Sequence, residues 1–139
     1  MFRRILVPVD FSTKNRAALD AACLLATDAQ SSLILLHVIE KIDYLPAKEL
    51  KSFYRDLQDR AREKLKMAAS LIAEQDIRVR QKLLRGHRVH AILDFARKNR
   101  VDLIVMSSHK VDLKKPAKGW GTISYRVAIL SQCPVLLVK

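Results

Sequence analysis

Glycine is scarce in this chain, with three residues in 139, at positions 86, 119 and 121. Glycine permits positive φ angles and lets a backbone approach a phosphate closely, so a glycine-rich phosphate loop needs several of them. Gly119 and Gly121 fall in one stretch, SSHKVDLKKPAKGWGT, over residues 107–122. No other stretch of the sequence can supply such a loop.

Cysteines and long apolar runs are also rare. The two cysteines, Cys23 and Cys133, form no C-x-x-C pair, and we expect them to be buried structural residues and not redox groups. No apolar run approaches the roughly 18 residues needed to span a membrane. Pro8 and Asp10 interrupt the first apolar stretch, so it does not resemble a secretory signal. We therefore expect a cytoplasmic protein.

Familiar catalytic motifs are missing too: there is no G-x-S-x-G elbow, no G-K-[S/T] phosphate loop and no cysteine–histidine pair at a recognised spacing. An enzyme with these residues would be at most a slow ATPase, or a nucleotidyl-type enzyme using Asp10, and we expect a binding protein instead. His87, His90 and Asp94 lack a convincing further ligand, so we predict surface residues and no metal site. His37, inside an apolar run, is predicted to be a hydrogen-bonded core residue.

Acidic residues are few: 14 Asp and Glu stand against 26 Lys and Arg, for a formal net charge of +12. This charge attracts nucleic acids, anionic metabolites and acidic proteins, and says nothing about the fold. Neither a recognition helix nor an aromatic stacking platform accompanies the basic groups. A solvated face is therefore favoured, and nucleic-acid binding stays a distant alternative. The groups are Arg78, Arg80 and Lys82, then Arg85 and Arg88, then Arg97, Lys98 and Arg100.

What the sequence does contain is a regular alternation of short apolar runs and amphipathic helical segments. This alternation predicts a single α/β domain over residues 1–139, a doubly wound, five-stranded parallel sheet with helices on both faces. The third strand alternates apolar and basic residues, as suits a sheet edge. The predicted strands are 5–10, 32–40, 77–83, 102–108 and 133–139, and the helical stripes run over 18–29, 50–72, 89–96 and 122–130.

In open α/β sheets, ligands bind beyond the carboxyl ends of the strands, where the strand order reverses. The residues expected there are Asp10, Val38, residues 106–109, Gly121 and Thr122. The N-terminus of the last helix offers N–H groups to an anion, and Asp10 can accept hydrogen bonds from a ribose or an amine. The alternative to a ligand site is equally open. In that case Asp10 accepts hydrogen bonds as a helix N-cap, and Gly121-Thr122 only begins the last helix.

Five segments, in this order and over nearly the whole chain, resemble the universal stress proteins. They are ILVPVDFS at the start, LLHVIE in the second strand, Gly86 before the third helix, DLIVMSSH in the fourth strand and CPVLLVK at the end. The resemblance implies a stress-response protein with strand order 3-2-1-4-5. It also implies a homodimer through residues 133–139, which agrees with the tendency of a short apolar edge strand to pair with a copy of itself.

Many universal stress proteins bind ATP, so the resemblance implies a site for ATP or another adenine nucleotide, with Mg²⁺ accompanying it. Pro8 and Asp10 match the family's adenosine contacts in the first strand. Val38 matches the position whose backbone meets adenine, and Met106 precedes the phosphate loop as in the family.

The phosphate loop departs from the family motif, which is G-x-x-G, nine residues, then G-[S/T]. Ser107 and Lys110 stand where the first two glycines belong, and Gly121-Thr122 closes the motif one residue late. His109 is either a phosphate contact or a residue that stabilises the loop.

Two interpretations of this loop stay open. Its lysines, at positions 110, 114, 115 and 118, bind phosphate as point charges in place of the glycines, or the loop is a solvated basic segment. We expect weaker ATP binding than in relatives that carry the motif. The rival hypothesis is a dimeric interaction module of the same fold that binds no nucleotide.

Overall fold

The computed structural model describes residues 2–26, 30–42, 47–110, 112–115 and 122–139. Strands and helices alternate along this part of the chain, as the apolar runs predict. The strands are β1 (Arg4–Pro8), β2 (Ser32–Glu40), β3 (Arg78–Gly86), β4 (Leu103–Ser107) and β5 (Val135–Val138). The helices are α1 (Asn15–Leu25), α2 (Ala47–Ala73), α3 (Arg88–Lys98) and α4 (Ile123–Leu130).

The strands form one parallel sheet in the order β3-β2-β1-β4-β5, which confirms the predicted order. Leu6 of β1 is paired with Ile34 of β2 on one side and with Ile104 of β4 on the other. The chain therefore winds away from β1 first in one direction and then in the other. Such a reversal leaves a crevice at the carboxyl ends of the strands beside it.

The sheet is covered on both faces, because successive side chains of a strand point in opposite directions. Ile5 and Leu33 are fully buried in the layer beneath α1 and α2. Leu6 and Ile34, one residue further along each strand, are buried in the layer beneath α3 and α4. A sheet buried on both faces explains why β1, β2 and β4 are continuous apolar runs in the sequence.

β3 is longer than its sequence pattern predicts. The alternation of apolar and basic residues indicates a strand that ends at Leu83 and a turn at Gly86, whereas β3 continues to Gly86. Its pairing with β2 runs without a break from Ser32↔Arg78 to Glu40↔Gly86. The backbone hydrogen bonds to a long neighbouring strand, and not the side-chain alternation, set where β3 ends.

α2 buries the stripe that its 3.6-residue spacing predicts, including Tyr54, Ala61, Leu65 and Ile72. The opposite face of α2 carries exposed charged residues. Within the described residues, no helix combines the length and the apolar character needed to cross a membrane.

Leu65 provides a test of this packing. Its side chain is 1% exposed between α2 and the sheet, whereas Leu71 on the same helix is 62% exposed. We expect Leu65→Ala to lower the free energy of unfolding by roughly 2–5 kcal/mol, because it leaves a cavity in a packed layer. Leu71→Ala should change it by less than about 0.5 kcal/mol. Urea denaturation measures both values, and equal losses in the two variants would contradict the placement of α2.

Candidate functional site

A cavity of about 430 Å³ opens at the carboxyl ends of β1, β2 and β4. Its walls come from those strand ends, from the loop that leads into α1, and from the first turns of α3 and α4. Pockets for small organic ligands span roughly 300–1,000 Å³. The cavity thus has the size and the position in the fold of a small-molecule site.

Most of the residues that the sequence predicts for a site lie together here. Those that line the cavity are Pro8, Asp10, Val38, Met106, Ser107, His109 and Thr122. Lys110, Lys114 and Lys115 are exposed and are not among the described lining residues. Gly121, together with Lys118 and Gly119, lies outside the described residues.

The backbone of Val38 faces the cavity because β2 extends beyond the end of β1. β1 ends at Pro8, opposite Leu36, and beyond this pair the Val9 N–H donates to the Leu36 carbonyl at 2.8 Å, a backbone hydrogen bond that continues the pairing by one residue. Backbone groups alternate sides along a strand, so the N–H and C=O of Val38 point in the same direction as those of Leu36. They provide one donor and one acceptor at the cavity wall.

Asn15 shapes the loop that follows β1, and the sequence analysis missed this role. Its Oδ1 accepts hydrogen bonds from the backbone N–H groups of Asp10 and Phe11, both at 2.9 Å. Its Nδ2 donates to Ser107 Oγ at 2.8 Å, which connects the ends of β1 and β4. The side chain is buried, at 7% exposure. Phe11 has a φ of 65°, an uncommon value for a non-glycine residue that these bonds hold in place.

Asp10 is ionised at the rim of the cavity. Partial burial alone would raise the pKa of its carboxyl group, but hydrogen bonds from Ser12 and the nearby charge of Arg88 together hold that pKa below its usual value. The Ser12 N–H donates to Asp10 Oδ1 at 2.9 Å. Among the described lining residues Asp10 is the one carboxylate, so it supplies the negative charge of the site.

His37 is a hydrogen-bonded wall residue, in agreement with its predicted role. Its Nδ1 lies 2.7 Å from the Val9 carbonyl oxygen, and its ring centroid is 4.4 Å from that of Phe11. A carbonyl oxygen can only accept, so Nδ1 carries the proton. Burial lowers the pKa of His37 more than this hydrogen bond raises it, so the ring is neutral at neutral pH. No cluster of metal-ligating side chains is found in the described ranges.

Two cations border the cavity, Lys14 and Arg88, and no motif in the sequence indicated this position for them. Arg88 is the first residue of α3, and its backbone N–H donates to Glu40 Oε2 at 3.3 Å. Its Nε lies 3.5 Å from the same oxygen. Glu40 thereby holds Arg88 beside Asp10 and His37. The positive charge of Arg88 contributes to lowering the pKa of both residues.

The segment after β4 is held by polar contacts with α4 and with Lys139. Ser124 Oγ donates to Ser108 Oγ at 3.2 Å, and both serines are buried. The Tyr125 hydroxyl donates to the His109 carbonyl at 3.0 Å, and Lys139 Nζ donates to the same carbonyl at 3.3 Å. The hydrogen bond from Lys139, followed by one with Ser108, lowers the pKa of Tyr125.

The N-terminus of α4 points into the same cavity. Thr122 is the N-cap residue in an extended conformation, and Thr122, Ile123 and Ser124 all line the cavity. The first N–H groups of a helix have no acceptor within the helix and carry a partial positive charge. This end of the cavity can therefore receive an anion, while the Asp10 end can receive hydroxyl or amine donors.

Comparison with known proteins places this architecture in a family. The sequence model of the Universal stress protein family matches residues 1–139. Universal stress protein YxiE of Bacillus subtilis (strain 168) is 31% identical over 149 residues, covering 100% of both sequences.

Solved structures agree with the sequence matches. The structure of MJ0577, a protein of Methanocaldococcus jannaschii, gives a TM-score of 0.77 at 29% identity and covers 100% of this chain and 96% of its own. A universal stress protein in complex with cAMP gives 0.76 at 19% identity, with 99% and 97% covered. One from Archaeoglobus fulgidus in complex with dAMP gives 0.72 at 20% identity, with 99% and 98% covered. Since the family model matches it from end to end, this chain belongs to the universal stress protein family.

Proposed function

We propose that this protein binds an adenine nucleotide in the cavity at the carboxyl ends of β1, β2 and β4, and acts in the stress response through binding and not through fast catalysis. One observation carries the proposal: the backbone of Val38, the carboxylate of Asp10 and the N-terminus of α4 border a single cavity. Two universal stress proteins of the same fold are solved with adenine nucleotides, cAMP and dAMP.

The adenosine side of the cavity offers complementary groups to each part of the nucleoside. Ile92 and Met106, which line the cavity, provide apolar surface for the faces of a base. The N–H and C=O of Val38 match the acceptor and donor that neighbour each other on the edge of adenine. Asp10, ionised and close to the mouth, accepts hydrogen bonds from ribose hydroxyls.

The phosphate side supports one phosphate better than three. The first turn of α4, with Ser124, provides N–H groups for the phosphate next to the ribose. Further phosphates would reach the segment in which Ser107 and Lys110 replace glycines, and a Cβ there restricts close approach of the backbone. Mg²⁺ would accompany a longer phosphate chain, bound by the phosphate oxygens and by water.

Calorimetric titration with AMP and with ATP, each with and without Mg²⁺, tests the proposal. We expect micromolar affinities for both nucleotides that differ by less than about tenfold, because the second and third phosphates gain few contacts. Asp10→Ala should weaken binding by about 10- to 100-fold, the usual effect of losing a hydrogen bond to a charged group. Asp20→Ala is the matched control, since Asp20 is exposed on α1 and outside the cavity.

The absence of heat with either nucleotide up to millimolar concentration would contradict nucleotide binding. If Asp10→Ala and Asp20→Ala lost the same amount of nucleotide affinity, the nucleotide would bind elsewhere on the protein.

The loop held by Asn15 provides an independent test of the cavity. Asn15→Ala removes the acceptor of two backbone N–H groups, so we expect a loss of roughly 1–3 kcal/mol in the free energy of unfolding. Amide hydrogen exchange at Asp10 and Phe11 should accelerate. Asn15→Asp keeps an acceptor oxygen for both N–H groups, and the Ser107 hydroxyl can turn to donate to its second oxygen, so this variant should preserve the slow exchange. If exchange at these amides were unchanged in Asn15→Ala, the assigned role of Asn15 would be wrong.

A second candidate function, a dimeric interaction module, is favoured by the exposed apolar surface around β5. β5 is an edge strand of the sheet, and Leu136 in it is 39% exposed. Ile129 and Leu130 at the end of α4 are 75% and 58% exposed. We infer a homodimer through residues 133–139, in which the open edges of two β5 strands pair.

Light scattering after size exclusion measures this association directly. We expect twice the mass of the chain at tens of micromolar protein, and a monomer for Leu136→Arg, because a charge at the centre of an apolar strand pair would lose its hydration. Leu71→Arg is the control, since Leu71 is 62% exposed on α2, which packs against β2 and β3 at the other side of the sheet from β5. A wild-type monomer under these conditions would refute the dimer.

A further inference from the structure

A second concave surface lies at the opposite end of the sheet from the nucleotide cavity, and we call it the basic groove. It lies beside the amino ends of β1, β2 and β3 and the end of α3, with a volume of about 910 Å³. Its basic lining residues are Arg3, Arg4, Arg78, Arg80, Lys98 and Arg100. All six are exposed, and no carboxylate is found among the described residues that line the groove.

Strand register brings these cations together from distant parts of the sequence. Arg4 is paired with Ser32, and Ser32 is paired with Arg78, so the three residues form a row across β1, β2 and β3. Paired residues of parallel strands point to the same face, and two strand spacings separate Arg4 from Arg78 by roughly 10 Å. Arg80 lies two residues along β3, so it projects from the same face about 6–7 Å further on.

The end of α3 supplies the other side of the groove. The Arg4 guanidinium donates to the Asn99 carbonyl at 3.1 Å, which holds this side chain against the helix end. Arg100 follows with a φ of 52°. Two carboxylates nearby are already engaged: Asp102 accepts the backbone N–H groups of Arg3 and Arg4, at 2.9 and 3.0 Å, and Asp94 pairs with Lys98 at 2.9 Å.

Protection of a sheet edge does not account for this arrangement. Basic residues on β3, such as Arg78 and Arg80, do discourage the pairing of an edge strand with other chains. Arg4, however, begins the central strand β1 with Arg3 just before it, and Lys98 ends α3 with Arg100 just after it. Together with the β3 arginines they place six cationic side chains around one concave surface, and such a concentration of positive charge attracts polyanions.

We propose that the basic groove binds a chain of linked phosphate groups, and specifically inorganic polyphosphate. Five of its six cations are arginines, whose planar guanidinium groups form paired hydrogen bonds with phosphate oxygens. Cations spread over about 10 Å fit a repeating anion better than a single one. Among the described lining residues there is no aromatic side chain on which bases would stack, so the groove favours phosphates without bases over single-stranded nucleic acid.

Fluorescence anisotropy with labelled polyphosphate tests the groove, using three arginines that line it and three that do not. The groove variant combines Arg3→Gln, Arg78→Gln and Arg80→Gln. The control variant combines Arg55→Gln, Arg60→Gln and Arg62→Gln, which removes the same charge from the exposed face of α2. We expect the groove variant to bind at least about tenfold more weakly than wild type, and the control variant to bind within about threefold of it. Wild-type affinity should fall steeply with added salt, because binding releases counterions.

Two further measurements separate this proposal from the alternatives. Asp10→Ala should leave polyphosphate binding unchanged, since Asp10 lies at the other end of the sheet. At equal phosphate concentration, duplex DNA and single-stranded RNA should compete less well than polyphosphate. The groove variant should still unfold in one cooperative thermal transition, because all three substituted side chains are exposed, and this result establishes that it folds.

Three outcomes would overturn the proposal. Equal losses in the groove and control variants would mean that net charge alone attracts the polyanion. Tighter binding of DNA or RNA than of polyphosphate would assign the groove to nucleic acid. If wild type did not bind polyphosphate at low salt, chains of linked phosphates would be excluded as ligands of the groove.

Discussion

The difference in length between β1 and β2 is the constraint on which the cavity at the carboxyl ends of the strands depends. β1 pairs with β2 up to Pro8 and Leu36, while β2 continues to Glu40 with β3 as its partner. Beyond Leu36, the side of β2 that faced β1 borders a cavity and not a strand. If β1 continued alongside β2, the backbone groups of Val38 would be used in the sheet, and no base edge could reach them. The cavity therefore forms because the central strand β1 ends before its neighbour β2.

Polar side chains stabilise the loops that border this cavity, in a chain with few glycines. Asn15 connects the loop after β1 to Ser107, and Ser108 is connected to Ser124 of α4. Tyr125 and Lys139 both donate to the His109 carbonyl. Loops rich in glycine adapt their backbone to a phosphate, whereas these side-chain contacts fix the backbone in advance. Preorganisation of this kind favours a ligand that fits the existing cavity over one that requires the loop to rearrange.

The two ends of the sheet differ in their charge. At the carboxyl end, both signs of charge occur around apolar surface: Asp10 lies near Arg88, Lys14 borders the same cavity, and a neutral His37 forms part of the wall. At the amino end, the basic groove gathers arginines, and no carboxylate is found among its described lining residues. The first arrangement suits a small ligand that has a hydrophobic base, and the second suits an extended anion. The net charge of +12 is thus unevenly distributed over the molecule, and an overall value of the charge conceals this difference.

The sequence by itself determined the alternation of strands and helices, the burial of β1, β2 and β4, and the stripe of α2, because hydrophobic periodicity is a property of neighbouring residues. The α/β pattern placed Asp10, Val38 and Met106 at the carboxyl ends of the strands. Resemblance to a family added the strand order and the expected roles of these residues in a nucleotide site. Only the tertiary structure decided which distant side chains meet. Asn15 reaches Ser107 across 92 positions, and Arg4 lies in one row with Arg78, because strand register and crossovers bring these positions together. The same geometry leaves Lys110 away from the cavity wall, which its place in the sequence did not indicate. The hydrophobic pattern of a strand indicates which face each side chain points to. It does not say which strands are neighbours, so convergence of this kind is seen only in the folded chain.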